Sequence, residues 1–172
     1  MSPARAPFAA LDDILRHTRH LLFFFDGTIC DLFTVPEAIA ACDHLRKTIP
    51  EQETPLPTDV ADTTDPFNIL IYAAGYLGRD RAIRVEAELT QLEDSAAANA
   101  VPVPYIDDTI QACHDSGRSV TIVSRNRTRA VMQYLSRHDM AHMITSIIAR
   151  EVPDPLTVSY AHLVERATAA LS

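Results

Sequence analysis

The sequence predicts an α/β domain built on a parallel sheet of about three strands, with an all-helical stretch inserted after the first strand. Three observations carry this expectation. Leu21-Leu22-Phe23-Phe24-Phe25 is a short apolar run that stops at Asp26-Gly27, as a buried strand entering a turn does. Residues 35–100 read as helices on either side of a loop at 50–64, with apolar positions at helical spacing. After Val101-Pro102-Val103-Pro104 the pattern alternates helix and strand, which implies parallel strands joined by right-handed crossovers.

In chain order, Leu11, Ile14 and Leu15 mark a short leading helix ending near His20, and the first strand follows. A helix is expected from Pro36, a favourable first-turn residue, with Ile39, Cys42, Leu45 and Ile49 on one face. Residues 50–64 are rich in Pro, Thr, Asp and Glu and read as a loop. Asp65-Pro66 then pairs an N-cap residue with proline at the first helical position, and Phe67, Leu70, Ile71 and Ala74 supply the apolar face. A further helix fits Asp80 to about Ala98. Beyond the proline-rich hinge, a helix from about Asp107 to Ser116 is closed by Gly117 and followed by the strand Val120–Val123. A helix from about Thr128 to Arg137, a strand over Ile144–Ile148 and a final helix from about Pro155 complete the chain. The expected division is a core of residues 1–34 and 101–172 and a helical subdomain of residues 35–100.

The composition narrows the function. The 172 residues carry a net charge of −8, so nucleic acid has no broad electrostatic reason to bind. Three cysteines without metal-ligand spacing fit reduced thiols and a cytoplasmic setting. The apolar run at Leu21–Phe25 is far too short to span a membrane, and no signal peptide is visible. Fourteen of the fifteen basic residues are Arg; Lys47 is the single lysine, so any lysine-dependent mechanism must use it. The seven histidines show no HxH or HExxH spacing, and neither a metal site nor a cofactor is expected.

Strand, Asp-Gly-Thr, helical insertion, then a strand ending in Ser is a layout that resembles the haloacid dehalogenase (HAD) superfamily. Phe24-Phe25-Asp26-Gly27-Thr28 matches that family's first motif, a strand followed by DxDGT, and Val123-Ser124 matches its second. The following Arg125-Asn126 is similar to the Ser-Asn-Asn of many relatives, with Arg125 in place of the first Asn. The resemblance covers nearly the whole chain and implies a HAD-like Rossmannoid sheet, truncated to about three strands, with a helical cap.

The departures from the family pattern are equally specific. The family's nucleophile, which also helps bind magnesium, is replaced by Phe24. Alignment of residues 161–166 with the family's helix puts the third-motif lysine at about Val158, and no lysine follows residue 47. The acidic pair of the fourth motif has no counterpart after a fourth strand; Glu151, Asp154 and Glu165 are the only later acids. Phosphoryl transfer through an aspartate needs an in-line carboxylate, a metal and a cation, and Phe24 can neither attack nor ligate. Loss of a covalent nucleophile costs on the order of a millionfold, of which acid–base help from Asp26 would recover only about 10²–10⁴-fold.

With Phe24 and Val158 in place of an anion and a cation, the old site is expected to be more apolar and the pKa of Asp26 to be raised. Asp26 is the candidate proton carrier, or it simply caps the turn. Phe24, Thr28, Ser124, Arg125, Asn126 and Val158 are the candidate substrate-binding residues. Arg125, Arg127 and Arg129 surround a helix start and either hold an anionic ligand group or pair with the protein's own acids. The expected function is binding of a small, largely neutral molecule. A non-hydrolytic acid–base step there would be an isomerisation, cyclisation or elimination. A non-catalytic scaffold and a residual phosphate-ester hydrolase are the alternatives. In the family topology the first strand is central, so ending after the third leaves Leu21–Phe25 at an edge. That edge is expected to be covered by a second copy, giving a homodimer, or by the leading helix.

Overall fold

A computed structural model describes residues 6–49, 55–151 and 158–170. Its sheet has three parallel strands, β1 (His20–Phe24), β2 (Ser119–Arg127) and β3 (Ser146–Arg150), in the order β1-β2-β3. Helix α1 (Ala6–His17) precedes β1. Between β1 and β2 lie α2 (Val35–Lys47), α3 (Thr58–Ala61), α4 (Pro66–Tyr76), α5 (Arg79–Ala97) and α6 (Ile106–Asp115). Helix α7 (Thr128–Arg137) and a single 3-10 turn link β2 to β3, and α8 (Tyr160–Ala169) follows. The α/β class and parallel topology are those the sequence predicts.

Local chemistry explains most boundaries. Asp65 is the N-cap of α4, its carboxylate accepting the Phe67 N–H at 3.0 Å, with Pro66 in the first turn. At the start of α2 the Glu37 carboxylate accepts from the Thr34 N–H at 2.8 Å and from the Thr34 hydroxyl at 2.7 Å. Gly117 takes φ 71° after α6, a left-handed conformation that suits a residue without Cβ. Several bounds differ from expectation: α1 ends at His17, and His20, expected near the helix end, opens β1, which closes at Phe24. The loop at 50–64 contains the single turn α3. Strand β2 runs on through Arg127, since Arg127 pairs with Arg150 beyond an irregularity after Val123. Strand β3 begins at Ser146, after the 3-10 turn has used Ala141–Met143. The expected start of the last helix near Pro155 lies outside the described residues.

Two hydrophobic clusters organise the molecule. One joins the sheet to α6 and α7 through Phe25, Ile122, Val131, Tyr134 and Leu135, with Phe25 edge-on to Tyr134 at 5.2 Å. The other lies within the helical block and gathers Leu45, Phe67, Leu70, Val85 and Leu89. The sheet's other face packs Val123 against Leu163 and Ala167 of α8. No helix among the described residues is long and apolar enough to cross a membrane.

Candidate functional site

The end of β1 sets the candidate residues side by side: Phe24 is in register with Val123, the chain turns at Asp26-Gly27, and β2 continues past an irregularity after Val123. Strand alternation sends Phe25 into the core and leaves Phe24 on the other face at 43% exposure. There its ring meets Tyr160, at the start of α8, edge-on at 4.9 Å.

The chain then tightens around Asp26. Ile29 and Cys30 N–H groups both return to the Phe25 carbonyl, at 3.0 and 3.1 Å, and Gly27 adopts φ 79° to allow it. Thr28 is half-buried in the same loop. Ser124 and Asn126, both fully buried, complete the arrangement. The Ser124 Oγ accepts from the Asn126 backbone N–H at 3.0 Å and from its side-chain amide at 3.2 Å. This local turn aims the Asn126 amide at Asp26, where Nδ2 donates to Oδ2 at 2.6 Å. Burial pushes the Asp26 carboxyl up to about 6, against the Leu32 N–H, Arg125 and Asn126, which favour its charged form. The structure therefore brings Phe24, Asp26, Ser124 and Asn126 together.

Arg125 lies beside them but is engaged elsewhere. Its guanidinium sits 4.3 Å from the Phe67 ring centre and 5.0 Å from that of Tyr160, and it binds Asp65 at 2.9 Å. Arg127 pairs with Glu86 at 3.2 Å, and Arg129 with Asp94 at 3.4 Å. Of the two readings of this arginine row, pairing with the protein's own acids is the one these contacts support. Val158 is buried in a cluster with Phe67 and Leu89, two residues before Tyr160.

Beneath the site lies a buried charge network that the sequence reading missed. Arg150, with no exposed surface, donates Nε to the Arg125 carbonyl at 2.8 Å and pairs with Glu86 and Glu93 of α5. Glu93 also accepts the Arg127 N–H at 3.0 Å; burial pushes its carboxyl up to about 7 despite Arg150. A signal was present in the sequence: Glu86 and Glu93 share the helix face of Ala82, Val85, Leu89 and Ala96, which is otherwise apolar. All these pairs have arginine on the sheet side (125, 127, 129 and 150) and acid on the helical block (65, 86, 93 and 94). Tyr160, Phe67 and Asp65 were also missed as neighbours of the site.

No family model matches the sequence, and no curated protein matches it. Solved structures do match its fold. A predicted phosphatase from Clostridium acetobutylicum superposes with a TM-score of 0.60 and 14% identity, over 90% of this chain and 70% of that one. A protein described as a haloacid dehalogenase-like hydrolase from Bacteroides fragilis gives 0.57 and 17%, over 88% and 73%. A haloacid dehalogenase-like family protein from Streptococcus pneumoniae gives 0.56 and 15%, over 90% and 70%. These likenesses show that the chain has the haloacid dehalogenase-like fold.

That fold family implies magnesium, and the residues present do not fit it. Mg²⁺ prefers several hard oxygen ligands in an octahedron. Here the loop offers two carboxylates, Asp26 and the exposed Asp31; one oxygen of Asp26 already holds the Asn126 amide, and Phe24 stands two positions before it. Among the described residues, no three His, Cys, Asp or Glu side chains gather in a way that could hold a metal ion.

Proposed function

We propose, from its haloacid dehalogenase-like fold, that this chain has left phosphoaspartate chemistry and uses the former site to bind a small, largely neutral molecule, with Asp26 as the proton carrier. The observation that supports this most is the edge-on pairing of Phe24 with Tyr160 close to a shielded Asp26. An aromatic wall favours a flat apolar ligand face. A carboxyl with a pKa near neutrality can give or take a proton, and Asn126 and Ser124 hold it in place. The Ser124 hydroxyl accepts two hydrogen bonds from Asn126 and so fixes the amide that holds Asp26. A phosphate would find Arg125 already paired with Asp65. The chemistry suited to such a site is a proton transfer within the substrate, as in an isomerisation, cyclisation or elimination. The division into a core and a cap over residues 35–100 belongs to the same reading, with the Asp26 loop beneath the cap. A second reading, a binding subunit without catalysis, draws support from the open edge of β1, where a second copy would dock.

Ligand-observed NMR with a library of neutral aromatic and cyclic carbonyl fragments tests the ligand reading. Binders are expected whose signal disappears with Tyr160→Ala and Phe24→Ala, and which inorganic phosphate does not displace. Fragments that bind the variants as well as the wild type, or that phosphate displaces, would count against it.

A further inference from the structure

Strand β1 has β2 on one side and, among the described residues, no strand on the other. The Ser119 N–H donates to the Arg19 carbonyl at 3.0 Å, and the Phe25 N–H donates to the Val123 carbonyl at 2.9 Å. In a parallel ladder the backbone groups of successive residues alternate sides. His20, Leu22 and Phe24 therefore direct their N–H and C=O groups to the open edge. Nothing in His20–Phe24 blunts that edge: the five residues include no proline, lysine, arginine or acid. Leu22 is 37% exposed and Phe24 43%.

The edge is also self-complementary. Its three outward-facing residues are symmetric about Leu22, so a two-fold axis there would set Leu22 opposite itself and His20 opposite Phe24. The charges agree with this direction. Arg16 and Arg19 stand exposed before the strand, whereas Asp31 stands exposed after it. An antiparallel copy sets the basic end against the acidic end twice; a parallel copy would set like against like. For a chain of net charge −8, that local complementarity opposes the general repulsion between copies.

We propose that a second copy of this chain pairs with β1 as an antiparallel strand, with Leu22 on the two-fold axis, and carries Arg19 and His20 of the partner subunit to the mouth of the Asp26 site. Each of the three facing pairs exchanges two backbone hydrogen bonds, about six in all, and the two sheets become continuous. The interface is isologous, so both Asp26 sites gain the same neighbours. The pairing does not depend on what the Asp26 site binds.

Light scattering of the eluting full chain at micromolar concentration is expected to give twice the 19.0 kDa chain mass. Leu22→Lys places a cation at an exposed position on the axis and is expected to give the single-chain mass with unchanged far-UV circular dichroism. Facing residues of a hydrogen-bonded antiparallel pair have Cα atoms about 5.5 Å apart, within disulfide reach. Leu22→Cys, made with Cys113→Ser because Cys113 is partly exposed, is therefore expected to give a covalent dimer under mild oxidation. A wild-type mass of one chain would overturn the proposal. So would a dimer that neither Leu22→Lys disrupts nor Leu22→Cys cross-links.

Discussion

Arg150→Ala is expected to lower the unfolding free energy by about 3–5 kcal/mol, a large part of what a domain of this size holds. Arg150 is fully buried and faces two buried acids, Glu86 and Glu93, while its Nε holds the Arg125 carbonyl. Truncation leaves those carboxylates without their main countercharge in a place water does not reach. Arg127 would still touch Glu86, but a guanidinium at 3.2 Å on one oxygen does not replace the lost contacts to both acids. The sign with pH follows from Glu93. Its carboxyl is already pushed up to about 7 by burial against the pull of Arg150. Without Arg150 it rises further, so the variant's deficit is larger above neutral pH, where the carboxyl must ionise, than below it. Urea unfolding across that range measures both effects. Arg129→Ala is the control: that side chain is 77% exposed, and its pair with Asp94 is expected to contribute within about 0.5 kcal/mol.

Asp26→Asn is expected to make the fold more stable at neutral pH, by about 1–3 kcal/mol. The Asp26 carboxyl titrates near 6 in the folded chain, above the usual value of 3.8. Between about 4 and 6 the folded state binds more protons than the unfolded state. Stability therefore falls as pH rises through that window, and the deficit is fully present above 6. Asparagine carries no charge to shield and keeps an oxygen for the Asn126 amide, so both the deficit and its pH dependence should vanish. Thermal unfolding from pH 4 to pH 8 gives the comparison. Parallel wild-type and variant profiles would mean that the carboxyl is not held out of water. A polar group retained at a cost to stability fits a functional role better than a structural one.

These two residues show what the sequence could convey. Asp65-Pro66 was legible because a cap acts on its own helix within a few residues. The strand entering Asp26-Gly27 was legible because apolar run and turn are adjacent. The raised pKa of Asp26 could be anticipated from less polar surroundings, and burial is its largest cause. Arg150 was not legible, since its meaning comes from acids 64 and 57 residues away on α5. The fate of Arg125 likewise depends on Asp65 and Phe67, contributed by another part of the chain. Strand β2 was read too short because Ser124-Arg125-Asn126-Arg127 looks polar, and only its pairing with β3 makes it strand. Val158 was placed by alignment to the family's lysine position, and the packing of the helical block sets where its side chain lies.

The central claim is that a site with phenylalanine at position 24, where the family carries its nucleophile, does not transfer phosphoryl groups. Phosphate release from p-nitrophenyl phosphate in the presence of magnesium, followed for the wild type and for Asp26→Asn, tests it most directly. The two proteins should be indistinguishable from each other and from buffer. Magnesium-dependent turnover by the wild type that Asp26→Asn abolishes would contradict the account.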